Sequence, residues 1–239
     1  MFNPHPTVSR LPIGDGGVCV VLDDALEDPQ ALVDLSVKHR DAFTPAAGNA
    51  FPGIELPLPA SVVERFGECF AQHARSAVGA RRVLSATGRL SMVTLPPAQL
   101  SPLQRMCHRD RLAASADECV GAGVLYLFHD IGLGGTSFFR PRAPAHETNV
   151  RMQRWSSADN AQFTQDTGWP AAYMIRSNQH FERTAVVPAQ WNRLIFYDGS
   201  LFHTSHVERP EWLSDDPTRG RLTVNLFFLC RRRAVQSGT

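Results

Sequence analysis

The sequence predicts a mainly β chain of the α+β class, folded as a double-stranded β-helix (a jelly-roll or cupin-like barrel) with N-terminal helices packed on its outside. Three observations lead to this prediction. Two amphipathic helical patterns lie before residue 80, and about eight strand-like segments follow, with turn signals at roughly 8–12-residue intervals. The last strand, from residue 221, alternates polar and apolar side chains, which is typical of a barrel with a site inside it.

Size and composition fit one soluble domain. We expect residues 1–239 to form a single unit, with an N-terminal strand and helices over 1–80 and the barrel core over 82–231. The net charge of +1 gives no reason to expect a nucleic-acid partner. No stretch approaches the ~18 apolar residues of a membrane span, and the N-terminus lacks the apolar region of a signal peptide, so we expect no membrane partner and a cytoplasmic protein.

Cysteine and lysine usage narrows the chemistry. The five cysteines are scattered and form no CxxC motif, which argues against a zinc finger or a disulfide framework and favours a reducing compartment. Lys38 is the only lysine among 24 basic residues. Any cation that binds a carboxylate is therefore expected to be an arginine, whose planar fork suits that task better than an ammonium group.

The N-terminal part predicts one strand and two helices. Residues 17–22 form a short apolar run that reads as a buried strand, and Asp28 followed by proline predicts a helix start, with the helix ending near residue 39. Residues 41–60 are dense in proline and glycine and predict an irregular excursion. Ser61 opens the second helix, whose buried face is predicted to contain Val62, Val63, Phe66, Phe70 and Ala74.

The remaining chain predicts the barrel. A short extended piece covers 106–110, and a polar, partly helical insertion over 143–170, which contains Trp155 and Trp169, is the predicted lid. The predicted strands cover residues 83–95 (one long strand or a pair), 120–128, 136–140, 181–187, 193–197, 201–207 and 222–230.

Candidate metal ligands lie in the extended piece and in the strand at 201–207. His108 and Asp110 are two residues apart, so in an extended segment both side chains leave the same face. A third ligand would complete the two-histidine-one-carboxylate set that is typical of non-haem Fe(II) oxygenases. His203 and His206 are the alternatives, and they lie on opposite faces of their strand. Alone, HxD also fits a surface turn.

The last strand supplies the candidate cation. Arg221, Thr223 and Asn225 share one face, and Leu222, Val224 and Leu226 share the other. Arg219 competes with Arg221, but it follows a proline-containing loop and precedes Gly220, which favours a solvated loop position.

The ordered combination of these pieces resembles the Fe(II)/2-oxoglutarate-dependent oxygenases, in particular their prolyl-hydroxylase-like branch. The matching motifs are HRD (108–110), GGTSF (134–138), NRLIFYDGSLFH (192–203) and RLT (221–223), together with the lead-in GVCVVLDDALEDPQALVDLS. The turn motif departs from the branch, because it lacks the acidic residue that often follows the two glycines.

The resemblance implies a site and an activity. His108, Asp110 and His203 would hold Fe(II), and the position directly after "SLF" favours His203 over His206. Arg221 would pair with the distal carboxylate of 2-oxoglutarate, with Thr223 hydrogen-bonding it and Asn225 within reach of the co-substrate. The implied reaction oxidises a C–H bond of a substrate, by hydroxylation or a related outcome, and converts 2-oxoglutarate and O2 to succinate and CO2.

Two other functions remain open from the sequence. A barrel of the same shape could serve as a catalytically inactive ligand-binding or interaction module, or as a cupin-type metalloenzyme without a co-substrate. The substrate, small-molecule or peptidyl, and the oligomeric state are not specified by any motif. Residues 41–60 and 143–170 are expected to form the substrate walls. His180 is a further candidate for the mouth of the site, and Cys107 is a weak candidate nucleophile.

Overall fold

The structure is a computed structural model that describes residues 2–14, 16–46, 48, 50–110 and 115–233. The fold is mainly β. The described strands are β1 (Thr7–Gly14), β2 (Gly17–Asp23), β3 (Thr44–Pro45), β4 (Gly53–Pro57), β5 (Ala80–Val93), β6 (Glu118–Tyr126), β7 (Thr136–Pro141), β8 (Phe181–Val187), β9 (Leu194–Asp198), β10 (Phe202–Ser205) and β11 (Arg221–Arg232). The described α-helices are α1 (Gln30–Lys38), α2 (Ala60–His73), α3 (Ala145–Ser156) and α4 (Asn160–Thr167).

The strands form two antiparallel sheets. The large sheet has eight strands in the order β1-β2-β9-β6-β11-β5-β4-β3, and the small sheet has the order β10-β7-β8. β11 lies between β5 and β6 in the large sheet and pairs with both along most of its length. The prediction of a mainly β fold is therefore confirmed as a large antiparallel sheet with few helices.

The N-terminal helices cover the outer face of the large sheet. Val63, Phe66 and Phe70 of α2 are buried, as the helical spacing predicts, and the Phe70 ring stacks on Phe228 of β11 at a centroid distance of 4.2 Å. The apolar row of β11, which includes Leu226, belongs to this same core. Because alternate residues of a strand point to opposite faces, the polar row of β11 is left to face the small sheet.

A separate core holds α3 and α4 against the small sheet. It contains Met152 and Trp155 of α3 and Phe163 of α4. Arg105 is almost fully buried beneath these helices, where it donates hydrogen bonds to the carbonyl oxygens of Trp169 and Pro170. The segment over 143–170 is partly helical, as predicted, and it is joined to the body of the protein by its own apolar core.

Three strands depart from the sequence prediction. β3 and β4 lie inside the proline- and glycine-rich region 41–60 that predicted an irregular excursion. They pair with each other, and β4 also pairs with β5. A Cβ at Gly53 would lie 1.9 Å from the carbonyl oxygen of Met92, so the glycine permits this close approach. β1 is exposed along most of its length and therefore lacks an alternating pattern. The predicted strand at 83–95 is the single long strand β5.

None of the helices in these described ranges is long and apolar enough to cross a membrane.

Candidate metal centre

The segment with His108 and Asp110 lies along the edge strand of the small sheet. The amides of His108 and His203 each donate a hydrogen bond to the other residue's carbonyl oxygen, both at 2.9 Å. The Asp110 amide donates to the carbonyl oxygen of Gly199 at 2.8 Å. This extended pairing turns both side chains of the HxD motif toward His203, as the two-residue spacing predicts.

The three side chains converge on one point. His108 Nε2 lies 4.0 Å from Asp110 Oδ1, and His203 Nε2 lies 3.7 Å from Asp110 Oδ2. One ligand atom from each residue lies within 4.8 Å of the others. Ligand atoms around a divalent ion sit about 2.0–2.2 Å from it, so small rotations of the side chains bring all three onto one ion. The His108–Asp110–His203 group can therefore hold a metal.

The protonation states suit a metal. Burial, reinforced by the neighbouring His203, lowers the pKa of His108 to about 3, so its ring is neutral near pH 7 and keeps a lone pair. His203 Nδ1 lies 2.9 Å from the carbonyl oxygen of Leu201. Donation to that carbonyl places the proton on Nδ1 and leaves the Nε2 lone pair facing Asp110.

The surroundings of Asp110 indicate whether these three residues fit a metal ion. Its Oδ2 atom is buried and has no hydrogen-bond partner among the described residues. Burial raises the pKa of Asp110, while His203 and Arg89 act in the opposite direction. A buried carboxylate oxygen without a donor is costly unless a cation meets it. The donor set and this orphaned oxygen both fit a divalent metal ion.

His206, the alternative metal ligand, is hydrogen-bonded to other side chains. His206 Nδ1 lies 2.7 Å from Ser137 Oγ, and His206 Nε2 lies 3.0 Å from Glu208 Oε1. Burial lowers the pKa of His206, while Glu208 acts to raise it. The structure therefore turns His203 toward Asp110 and His206 toward the opposite face of the strand.

Arg221 is buried without a carboxylate partner among the described residues. Its Nε donates to the carbonyl oxygens of Leu133 and Gly134 at 3.1 and 3.2 Å, and its Nη2 donates to that of Gly135 at 2.7 Å. Burial lowers the pKa of Arg221. Its Cζ also lies 5.7 Å from the ring centroid of Phe128. A buried cation that meets carbonyl dipoles and an aromatic face but no described carboxylate is a candidate site for an anion. Arg219 is exposed and lines a second cavity of about 580 Å³.

The glycine turn explains how three carbonyls reach one guanidinium. Gly134 has a φ of +78°, and a Cβ there would lie 1.5 Å from the carbonyl oxygen of His206. At Gly135 a Cβ would lie 1.9 Å from the carbonyl oxygen of Val187. Both positions require glycine, so the two glycines of the GGTSF motif allow the turn to wrap Arg221.

Thr223 and Asn225 follow Arg221 along the same face of β11. Thr223 Oγ1 lies 3.3 Å from the Ser91 carbonyl oxygen and 3.2 Å from Asn225 Oδ1. Among the described residues, those lining the cavity at the metal group include Arg221 and Asn225 but not Thr223.

A single cavity of about 980 Å³ joins the metal group to Arg221. The lining includes Tyr197, whose ring meets that of His203 edge-on at 4.8 Å. Burial, with Asp110 nearby, raises the pKa of Tyr197. Both segments expected as substrate walls contribute to the lining, with Phe51 from 41–60 and Met152 from 143–170.

A family model described as "Family of unknown function (DUF6445)" matches residues 4–228. The chain belongs to this family. No curated protein matches the sequence of this DUF6445 chain.

Several solved structures resemble this DUF6445 chain. The non-heme alpha ketoglutarate dependent carbocyclase SnoK from nogalamycin biosynthesis is 16% identical, with 92% of this chain and 84% of that chain covered and a TM-score of 0.48. HygX from Streptomyces hygroscopicus, with nickel and 2-oxoglutarate bound, is 11% identical, with 95% and 83% covered and a TM-score of 0.46. An N-substituted L-amino acid dioxygenase from Burkholderia ambifaria AMMD is 13% identical, with 88% and 80% covered and a TM-score of 0.35. Because these sequence identities and TM-scores are low, the similar structures assign no role to a residue of this chain, and the roles of its site residues follow from its own geometry.

Other candidates in the DUF6445 chain have structural contacts. His180 packs against Trp155 at 4.8 Å, and both Trp155 and Trp169 belong to the core under α3 and α4. Cys107 is fully buried, and burial raises the pKa of its thiol, which is the opposite of what a nucleophile needs.

Tyr197 and Arg89 line the cavity although no sequence signal assigned them to it, and the ion pair of Arg89 with Glu55, which lies in the expected wall segment 41–60, was not predicted. Arg89 Nη1 donates to Glu55 Oε2 at 2.8 Å, across the pairing of β5 with β4. The period-two pattern of residues 87–91 was the available signal for Arg89, since Leu90 faces the outer core. Glu55 had no such signal, because β4 itself was not predicted.

Proposed function

We propose that this chain is a non-haem Fe(II)- and 2-oxoglutarate-dependent dioxygenase that hydroxylates or otherwise oxidises a C–H bond of a small-molecule or peptidyl substrate. One observation carries the proposal: the His108–Asp110–His203 group and a buried arginine without a described carboxylate partner open into the same cavity. Each half needs a ligand of the opposite charge. A metal ion and a dicarboxylate meet both needs.

The metal half would be held by His108, Asp110 and His203. Two imidazoles and one carboxylate would leave coordination positions on the ion for other ligands. When bound, Fe(II) with 2-oxoglutarate and O2 supplies the oxidising chemistry and yields succinate and CO2. The neutral His108 ring and the Nδ1–H of His203 on the Leu201 carbonyl keep both imidazoles in ligating form.

The co-substrate half would be held by Arg221. Carbonyl oxygens take its Nε–H and one N–H of Nη2, so Nη1 and the second N–H of Nη2 remain for the distal carboxylate of 2-oxoglutarate. Asn225 follows on the same face of β11 and would support the co-substrate, while Thr223, which does not line the cavity, would position the Asn225 side chain through its hydroxyl. The tight burial of Tyr197 and Arg221 would keep water from this end.

The strand order supports the finer fold assignment. β5, β11, β6 and β9 are consecutive in the large sheet, and β10, β7 and β8 form the opposing layer, with the His108 segment bridged to β10. We interpret this arrangement as a double-stranded β-helix. The order of the four sequence motifs supports the prolyl-hydroxylase-like branch.

The test is anaerobic addition of Fe(II) and 2-oxoglutarate, with the weak metal-to-ligand charge-transfer absorption as the readout. The wild type should develop the band, His108→Ala and His203→Ala should not, and His206→Ala should develop it. A wild type without the band, or a band that persists in His203→Ala, would sink the proposal. A metalloenzyme without a co-substrate would bind the metal but show no dependence on Arg221.

A further inference from the structure

We propose that the prime substrate carries a carboxylate, and that Arg89 binds it together with the side-chain amide of Asn225. This inference rests on the proposed function, because it takes the metal group and Arg221 as sites for the metal and the co-substrate. It gives Asn225 a role toward the substrate as well as the support for the co-substrate assigned above.

The two residues form a donor site on the large sheet. Arg89 of β5 and Asn225 of β11 are directly opposite each other in the strand register, and both line the cavity. Opposite residues on a shared face have Cβ atoms about 4.5–5.5 Å apart. Arg221 is four residues away along β11, which is about 13 Å at the usual rise of a strand. Arg89 and Arg221 are therefore well separated within the cavity, which Arg109 also lines.

The Arg89 guanidinium is held in a fixed orientation. Its Nη1 donates to Glu55 Oε2 at 2.8 Å, and its Cζ lies 5.0 Å from the ring centroid of Phe227. A guanidinium has five N–H groups, so this one bond leaves further donors. Asn225 Oδ1 faces the hydroxyl of Thr223, which leaves the NH₂ group of Asn225 as the donor toward the cavity. Both side chains thus offer hydrogen atoms to an incoming acceptor.

The charges in the cavity wall favour an anionic substrate over a cationic one. Outside the metal group, Glu55 is the one carboxylate among the described lining residues, and Arg89 already bonds it. A substrate ammonium would have to compete with Arg89 for that carboxylate. A substrate carboxylate would find Arg89 and Asn225 as donors, and Arg109 also lines the cavity.

The lining also includes apolar side chains that suit an apolar body on the substrate. They are those of Phe51, Leu103, Met152 and Phe202. A cavity of about 980 Å³ is at the upper end of the volumes that hold drug-sized ligands, so it has room for a second molecule beside 2-oxoglutarate. The geometry thus fits an acid with an aliphatic or aromatic body.

The experiment compares matched acids and amides. The full chain is loaded with Zn(II) and N-oxalylglycine, an unreactive isostere of 2-oxoglutarate, and titrated with hydrocinnamate against hydrocinnamamide and octanoate against octanamide. Each acid should bind about tenfold or more tighter than its amide, as expected for one charge-assisted pair. Arg89→Gln should abolish this preference, whereas Glu55→Gln should keep it.

A surface pair serves as the matched control. Arg140 Nη2 bonds Glu182 Oε2 at 2.7 Å outside the cavity, so Arg140→Gln makes the same chemical change and should leave the acid preference intact. Arg89→Lys keeps the charge but loses the planar fork, and it should show a reduced preference if Arg89→Gln does not fold.

The outcomes separate this inference from the proposed function. If Zn(II) and N-oxalylglycine bind but acids and amides bind equally, or no acid binds, or Arg89→Gln keeps the preference, the carboxylate site is wrong. If N-oxalylglycine binding is absent, or unaffected by Arg221→Gln, the proposed function fails instead, and an acid preference that depends on Arg89 would still support the site.

Discussion

Replacing Arg221 with methionine should leave the fold about as stable as the wild type while removing its response to 2-oxoglutarate. The substitution removes the donor from the carbonyl oxygens of Leu133 and Gly134, which costs about 1–3 kcal/mol for each group left unsatisfied. The Gly135 carbonyl keeps the His206 amide at 3.0 Å. Against this cost, the substitution removes a buried charge whose desolvation penalty is several kcal/mol. The two effects are of similar size and opposite sign.

The ligand response is where the variant should differ. At a concentration of 100 times Kd, 2-oxoglutarate should stabilise the Mn(II)-loaded wild type by about 2.7 kcal/mol, or roughly 5–10 °C in Tm for a chain of this size. Losing a bidentate, charge-assisted pair weakens binding by about 100-fold, so the same concentration stabilises Arg221→Met by only about 0.4 kcal/mol.

Thermal unfolding with and without 2-oxoglutarate measures this difference. Arg219→Met is the control, since Arg219 is exposed and lines only the second cavity, and it should respond like the wild type. An equal Tm increase in Arg221→Met and wild type would refute the assignment of Arg221 as the co-substrate cation.

Three further predictions concern the surroundings of the site. Gly135→Ala places a Cβ against Val187, displaces the turn and should weaken 2-oxoglutarate binding about tenfold or more with metal affinity unchanged, as measured by calorimetry. Phe70→Ala should cost about 3–5 kcal/mol in urea unfolding, because the ring is fully buried and stacked on Phe228. Burial lowers the pKa of His206, so stability is present above the unfolded value of about 6.5 and is lost as pH falls from there through the folded pKa. Urea unfolding at several pH values should show a smaller acid-side loss in His206→Gln; an unchanged loss would contradict this.

The metal group could be predicted because its information is local. HxD in an extended segment sets its two side chains on one face, and His203 and His206, which are three residues apart, lie on opposite faces of a strand. The position directly after "SLF" then favoured His203, and the loop position of Arg219 before Gly220 favoured Arg221. None of these signals needs knowledge of which strands pair. The outer core row of β11 followed from the same alternation, since Leu222, Val224 and Leu226 are fully buried.

The environment of those residues could not be predicted, because it depends on pairing between distant segments. The carbonyl oxygens around Arg221 come from a turn more than eighty residues earlier in the chain. Glu55 reaches Arg89 only because β4 pairs with β5, and the prolines and glycines around β4 hid that strand. Gly53 adds to the glycine content that predicted an irregular segment, but in the structure it lets the backbones of β4 and β5 approach closely.

His108 and His203 are far apart in the chain but paired in the structure, so a metal bound to both would also act as a cross-link. An ion held by both residues would close a loop of almost a hundred residues, as a covalent cross-link does. For a loop of about that size, a cross-link lowers the conformational entropy of the unfolded state, which stabilises the folded state by about 4.7 kcal/mol. Removal of the metal by a chelator would therefore open this loop where His108 and His203 meet, at the edge of the small sheet. Faster hydrogen exchange at the His108 and His203 amides, with the amides of β11 unchanged, would report that opening.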